Sequence, residues 1–249
     1  MDHTIRSNFF PGLSVKIILE NKKIIEGTVK EILTLIEFDP LGIFVKLETG
    51  ESGNAIEIIQ TDSEIEYNTL KSEFLRNLQM DEMSLVEFKE TFSFPVDTEK
   101  KSSEISKKDK KEIQSYVAKT IAAFANANGG TLYVGIEDRT KKIKGLERDY
   151  QLLQDGKRDA DGLEISMRTN LPNFFERGNR IFEYVKIRFI KIDDNDVCVI
   201  KVTRSDIAFV LNKESRDFFY VRSGGSSENY SGTKFLDYWV KHLKEISQL

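Results

Sequence analysis

The sequence predicts an α+β protein: a small closed N-terminal β-barrel, then a larger mixed domain of helices and mainly antiparallel strands. Three observations carry this. Residues 12–59 break into short alternating stretches separated by glycine-containing turns, residues 63–80 change to a helical period, and beyond them helical patterns alternate with strand-like runs. The expected divisions are 1–60 for the barrel, 61–79 for a helical connector and 80–249 for the second domain.

In the first division the strands are LSVKIILE, IIEGTVKEIL, GIFVKLETG and NAIEII. Val15, Ile17 and Leu19 alternate with polar neighbours, Phe44 and Lys46 continue the pattern, and Gly27, Gly42, Gly50 and Gly53 supply turns and tight bends. Four or five strands in about 50 residues bury little as an open sheet, so closure is the economical arrangement. In 63–80, Ile65, Leu70, Phe74, Leu75 and Leu78 fall near one helix face.

After SLVEFKETF, the stretch SFPVDTEKKSSEISKKDK has no apolar period and reads as a mobile surface loop. Ser106 is placed to cap the next helix, where Ile113, Val117, Ile121 and Phe124 recur at helical spacing until Asn128-Gly129-Gly130 stops it. TLYVGIED is a strand leaving that turn. EISMRTNLPNFF is a helix that Pro172 ends or kinks, RIFEYVKIRFIKI and DVCVIKVTRS form a hairpin around residues 193–196, and DFFYVRSGG is a strand running into a flexible Gly/Ser loop. FLDYWVKHLKEISQL is an amphipathic helix with Tyr238 and Trp239 as packing residues, and Cys198 in VCVI is a buried strand position.

Hydrophobic content of 39% with 10% aromatics excludes a disordered chain. No apolar run approaches the roughly 20 residues of a bilayer-spanning helix, so no membrane partner is expected. The opening MDHTIRSNFF lacks the pattern of a signal peptide and the single Cys198 forms no internal disulfide, which together point to a reducing cytoplasm. One cysteine with His3 and His242 leaves too few ligands for a structural zinc site, so any metal would be held by carboxylates. The net charge of −4 hides an asymmetry: residues 1–70 carry −6, leaving +2 for the rest, and residues 100–144 hold 11 basic against 5 acidic residues. Such a segment either focuses a positive field on a polyanion or is a solvated lysine-rich face.

Two blocks resemble known families. IRSNFFPGLSVKIIL, EGTVKEILT and GIFVKLETGESGNAIEII resemble the small YwbE-type bacterial proteins, which implies a compact β-barrel. Those proteins tend to be lysine-rich and this copy is acidic. EMSLVEFKE, KTIAAFANANGGTLYVGIEDRTKKIKGLERD and FFYVRSGGSS resemble, in order and spacing, the Schlafen-type AlbA-like domain over roughly residues 80–230. The resemblance implies an α+β nucleic-acid-binding domain that in vertebrate Schlafens is a metal-dependent tRNA and rRNA endonuclease. It also implies a metal-binding and catalytic set here: Glu82, Glu87 and an acid from the Glu137-Asp138 pair, holding Mg²⁺ or Mn²⁺. Vertebrate Schlafens join two such lobes in one chain, so the single lobe implies a homodimer.

Three converging acids suffice for the chemistry, because divalent ions stabilise charge on a phosphodiester and generate hydroxide without a histidine. Regular geometry does not converge Glu82 and Glu87: an extended segment turns them to opposite sides and a helix sets them about 140° apart. The alternative for Glu82 and Glu87 is a surface acid and a glutamate paired with a nearby lysine. Strand alternation groups Leu132, Val134 and Ile136 and extends that face to Asp138, leaving Glu137 with Tyr133; Asp138 is the choice, with Glu137 as the alternative.

Lys89 shares the strand face of Glu87 and either contacts a phosphate or neutralises the acids. Asn126, Asn128, Gly129 and Gly130 either admit a phosphate to backbone N–H groups or simply end a helix. Lys141, Lys142 and Lys144 are placed for backbone contacts, and Arg222 for a bidentate phosphate contact or a salt bridge to a carboxylate such as Asp138. No G-x-x-x-x-G-K-[ST] occurs, so ATP is not expected. The expected function is therefore nucleic-acid binding, RNA favoured over DNA, with cleavage of structured RNA such as tRNA; the alternatives are a non-catalytic regulatory module and a protein-interaction scaffold.

Overall fold

The computed structural model describes residues 2–59, 62–79, 85–96, 100–154, 156–213 and 216–248. The chain divides into two compact units, Met1–Thr69 and Leu70–Leu249.

In the first unit, β1 (Ser14–Ile18), β2 (Ile24–Ile32), β3 (Phe44–Leu47) and β4 (Ser52–Ile58) close into a four-stranded barrel with every neighbouring pair antiparallel. Val15, Ile17, Val29, Val45, Leu47 and Ala55 fill its interior. In β3 the inward positions are Val45 and Leu47, whereas Phe44 is partly exposed. The β2–β3 loop leaves Leu35, Ile36, Phe38 and Leu41 in solvent.

Helix α1 (Asp62–Leu78) contains the division between the units, and its Leu70, Phe74 and Leu78 pack in the second unit. There, β5 (Val86–Lys89), β6 (Gly130–Val134), β7 (Val185–Ile192) and β8 (Asn195–Val202) form a sheet in the order β5-β6-β8-β7, with β5 and β6 parallel and the other pairs antiparallel. One face bears Leu132, Val134, Ile187, Cys198 and Ile200 against α2 (Lys107–Ala125) and α4 (Ala160–Asn170), which follows the short α3 (Glu147–Tyr150). The other bears Phe88, Tyr133, Ile190 and Val199 against α1. A sheet covered on both faces explains why β6 and β8 read as continuous apolar runs.

The expected caps are present: Ser106 Oγ accepts from Asp109 N, and the Asp109 carboxylate accepts from Ser106 N, a reciprocal capping box. Gly129, at φ +78°, ends the turn after α2, and a Cβ there would meet Val202 O at 2.6 Å. Pro172 ends α4, as expected, and opens a 3₁₀ turn.

Three expectations are corrected. The first residues of RIFEYVKIRFIKI form the helical turn α5 (Ile181–Tyr184), and the strand begins at Val185. The Gly/Ser segment is a second hairpin: β10 (Arg216–Ser223) pairs with β11 (Ser226–Tyr230) across Gly224-Gly225, and with β9 (Leu211–Lys213) on its other edge. The start of the expected surface loop is inside the protein, with Ser93 and Phe94 buried next to the equally buried Thr91 and Phe92.

Helix α6 (Gly232–Ile246) packs Phe235, Tyr238 and Trp239 on Phe219 and leaves Leu236, Val240 and Leu243 exposed. No described helix is long and apolar enough to cross a membrane.

Candidate functional site

Strand β5 presents Glu87 and Lys89 on the face it shares with Leu132 and Val134, because parallel partners in register point the same way. Lys89 Nζ donates to Glu87 Oε1, so Lys89 neutralises the acid, one of its two expected roles. Arg222 Nη1 donates to Glu87 Oε2 at 2.8 Å, Nη2 donates to Val86 O at 3.1 Å, and the guanidinium lies 5.1 Å from the Phe124 ring centre. Only 4% of the Arg222 side chain is exposed. The salt bridge of Arg222 is thus with Glu87 and not with Asp138, and its burial withholds the guanidinium from a phosphate in solution.

Glu137 and Asp138 lie beyond the end of β6, where strand alternation has already been broken. Gly135, at φ +105°, and Ile136 both donate backbone N–H to Lys89 O, at 2.9 and 3.1 Å. This irregularity turns Ile136 to the Tyr133 side of the sheet, so the face argument that favoured Asp138 does not hold. In the turn that follows, Lys141 Nζ reaches Asp138 at 3.4 Å and sits 4.3 Å from the Phe88 ring centre, while Lys144 Nζ reaches Glu137 at 3.5 Å. A hydrogen bond from Thr140, aided by Lys144 and Lys142, holds the Glu137 carboxyl below its usual range. Lys142 and Lys144 are exposed and Lys141 is half-buried.

Glu87 and Asp138 therefore belong to different faces of β5 and pair with different cations. Glu82 lies outside the described residues. Among the described residues no three His, Cys, Asp or Glu side chains are grouped to hold a metal ion. Both Glu87 oxygens already accept from cations, a donor set that does not fit Mg²⁺ or Mn²⁺ as it stands. Asn128 is exposed at the α2–β6 turn, whereas Asn126 is fully buried. The Asn126 amide donates to Phe209 O and Tyr220 O, both at 2.9 Å, and accepts from Phe209 N at 2.9 Å, while its carbonyl accepts from Tyr238 Oη at 2.7 Å. It ties α2 to the β9–β10 region.

Two features had no local signal in the sequence. The first is a surface shared by α2, β9 and β10. Tyr116 is 45% exposed and Lys213 Nζ lies 5.7 Å from its ring centre. Lys119 Nζ lies 4.8 Å from the Tyr220 ring centre, and Phe218 stacks on Tyr220 with centroids 5.9 Å apart. Residues about a hundred positions apart in the chain make each cation–ring pair, so only the fold reveals it.

The second is Asp149, 1% exposed, whose carboxylate accepts from Phe92 N at 3.0 Å, Ser93 N at 2.6 Å and Phe94 N at 3.2 Å. Burial pushes its carboxyl up to about 6, against the opposing pull of the three N–H groups and Arg148. Arg148 also pairs with Glu90 at 3.3 Å and stacks 4.1 Å from the Phe94 ring centre. Together they hold the segment that follows β5.

Comparison with known proteins places the chain. Residues 82–231 match the family described as "Schlafen, AlbA_2", and residues 2–58 match "Uncharacterized conserved protein (DUF2196)". The chain is 29% identical over 154 residues to Poxin-Schlafen of cowpox virus (strain Brighton Red), covering 58% of this chain and 28% of that protein. It is 28% identical over 152 residues to Poxin-Schlafen of monkeypox virus (strain Zaire-96-I-16), with the same coverage. It thus spans little more than a quarter of these relatives. YwbE of Bacillus subtilis (strain 168) is 42% identical over 60 residues, which cover 22% of this chain and 92% of YwbE.

Among solved structures, the DIP2311 protein of Corynebacterium diphtheriae aligns with a TM-score of 0.45 at 18% identity, covering 72% of this chain and 32% of that one. The N-terminal domain of a putative RecG-related ATP-dependent DNA helicase of Nitrosomonas europaea aligns with a TM-score of 0.39 at 17% identity, covering 64% and 92%. With its larger part matched over residues 82–231, the chain belongs to the Schlafen AlbA_2 family and carries a YwbE-like barrel ahead of that domain.

Proposed function

We propose that the second unit binds nucleic acid, RNA in preference to DNA, along the surface that α2 shares with β9 and β10. The observation that carries this reading is the interleaving of Lys119 and Lys213 with the rings of Tyr116, Tyr220 and Phe218. A single strand offers a phosphate row and a succession of flat bases, so its ligand surface needs cations and rings side by side. Membership of the Schlafen AlbA_2 family agrees with the reading, and the exposed Lys142 and Lys144 add a second phosphate contact region. The acidic residues 1–70 are poorly suited to the same ligand.

The finer reading is a Mg²⁺- or Mn²⁺-dependent endoribonuclease acting on structured RNA such as tRNA. It requires Glu87 to exchange at least one of its two cations for a metal in company with Glu82, so binding is the part the geometry supports best.

The test is titration of labelled tRNA, single-stranded RNA and single-stranded DNA at increasing salt, followed by incubation with Mn²⁺ or with chelator. Lys119→Ala with Lys213→Ala is expected to lower the slope of log K against log salt by about 2, and Tyr116→Ala to weaken strand binding by about 1–3 kcal/mol. Absence of binding at low salt, or variants that bind like wild type, would overturn the proposal and favour an interaction scaffold. Mn²⁺-dependent cutting lost in Glu87→Gln would establish the finer reading.

A further inference from the structure

A cavity of about 710 Å³ opens on a different side of α2, between its first turns, α4 and the Asp149 segment. Lys107, Lys111 and Gln114 line it at helical spacing, and Tyr116 falls about 200° around the helix from Gln114. Its volume lies within the roughly 300–1,000 Å³ usual for small-molecule sites. The floor and the rim differ in character. Leu163, Phe174, Gln114 and Ser93 are buried and form the floor, whereas Lys107 and Lys111 are exposed at the rim and take part in no ion pair among the described residues.

Below the lysines, the neutral amides of the wall keep unused acceptors. Gln114 Nε2 donates to Ser93 Oγ at 2.8 Å, Asn170 Nδ2 to Ser166 O at 2.7 Å, and Asn173 Nδ2 to Thr169 O at 3.0 Å. Asn170 directs its NH₂ at both oxygens of Ser166, Gln114 and Asn173 each engage one of their two N–H donors, and all three leave the carbonyl oxygen, with its two lone pairs, without a donor among the described residues. A ligand that fits carries negative charge for the hydrated rim, a flat apolar body for Leu163 and Phe174, and N–H donors for the amide oxygens.

We infer that this cavity binds a nucleoside monophosphate unit, with its phosphate at Lys107 and Lys111 and an amino-bearing base on the floor. Adenine supplies the flat body and the N–H donors together, whereas uracil presents mainly carbonyl acceptors to the amide acceptors of the wall. A free nucleotide and the 5′-phosphorylated end of a strand share this chemistry. The site is independent of the strand-binding surface on the Tyr116 side of α2.

Isothermal titration of the full chain with AMP, UMP, ribose 5-phosphate, and an oligoadenylate with and without a 5′-phosphate tests this. AMP or the 5′-phosphorylated strand is expected to bind, with UMP and ribose 5-phosphate at least about tenfold weaker than AMP. Lys107→Ala with Lys111→Ala, two exposed helix positions, is expected to lower that affinity at least about tenfold. Lys119→Ala with Lys213→Ala leaves it unchanged, which separates failure here from failure of the strand-binding surface. AMP binding alone identifies a free nucleotide; a 5′-phosphate effect that the Lys107/Lys111 variant abolishes identifies a strand end. The inference is overturned by the absence of both, by equal affinity for AMP, UMP and ribose 5-phosphate, or by binding that the Lys107/Lys111 variant does not change.

Discussion

Glu87 and Asp149 are two carboxylates of one unit held by opposite means. Glu87 is half-buried with one cation on each oxygen; Asp149 is 1% exposed and faces three backbone N–H groups. The first arrangement joins separate strands, since Arg222 comes from β10 and Glu87 from β5. The second shapes a single segment, residues 92–94, by giving its amides an acceptor that no strand supplies. An acid in a recognisable motif is thus not the most deeply buried one: Asp149 lies deeper than Glu87.

Removal of the Asp149 carboxylate has the largest expected effect. Asp149→Ala orphans three buried N–H groups, each worth about 1–3 kcal/mol, and partial water entry leaves an expected loss of about 3–5 kcal/mol. At about 2–4 °C per kcal/mol for a unit of this size, thermal denaturation should show a midpoint roughly 10 °C lower. An unchanged midpoint would mean that the 92–94 segment is held by its apolar side chains alone.

Next in size is the Glu87 pair. Arg222→Met leaves Glu87 only Lys89, with an expected loss of about 2–4 kcal/mol, somewhat under the usual penalty for half of a buried pair because one cation remains. A double-mutant cycle with Glu87→Gln should return a coupling of about 1–3 kcal/mol. Additive losses would show that the contact is incidental to stability.

Asp149 also makes stability depend on pH. The folded Asp149 carboxyl titrates at about 6 against an ordinary value of 3.8. The folded state therefore binds the proton more tightly, and this contribution is complete below 3.8 and lost as pH rises through 6. By linkage the loss amounts to about 2–3 kcal/mol. Wild type minus Asp149→Asn, followed by denaturant unfolding between pH 4 and 7, should show that falling stability with rising pH. A flat difference would place the folded carboxyl at its ordinary value.

The smallest effect concerns the half-buried Glu137 and the exposed Asp138, neither of them paired with an arginine. Replacing Lys141, Lys142 and Lys144 by Ala should lower the salt slope of RNA binding by only about 1, because two of the three lysines already face a carboxylate. A fall of about 3 would show that these surface pairs open when phosphate arrives.

Much of this molecule is set by local rules. The barrel strands, the Ser106 cap, the stop at Gly129 and the hairpin at Asp193-Asp194 follow from alternation, capping chemistry and turn residues, which act over a few neighbours. The order of the motifs alone indicates both families. Tertiary structure alone decided the rest. Gly135 breaks the alternation that would have ranked Asp138 over Glu137, and strand parity has no meaning past such a break. The union of Arg222 with Glu87 spans 135 positions, the clamp of Asp149 on Ser93 spans 56, and the pairing of Lys213 with Tyr116 joins β9 to α2. Periodicity reports which face of its own element a residue occupies, but the partner across that face is fixed by how elements pack, and the charge and burial of a site arise only there.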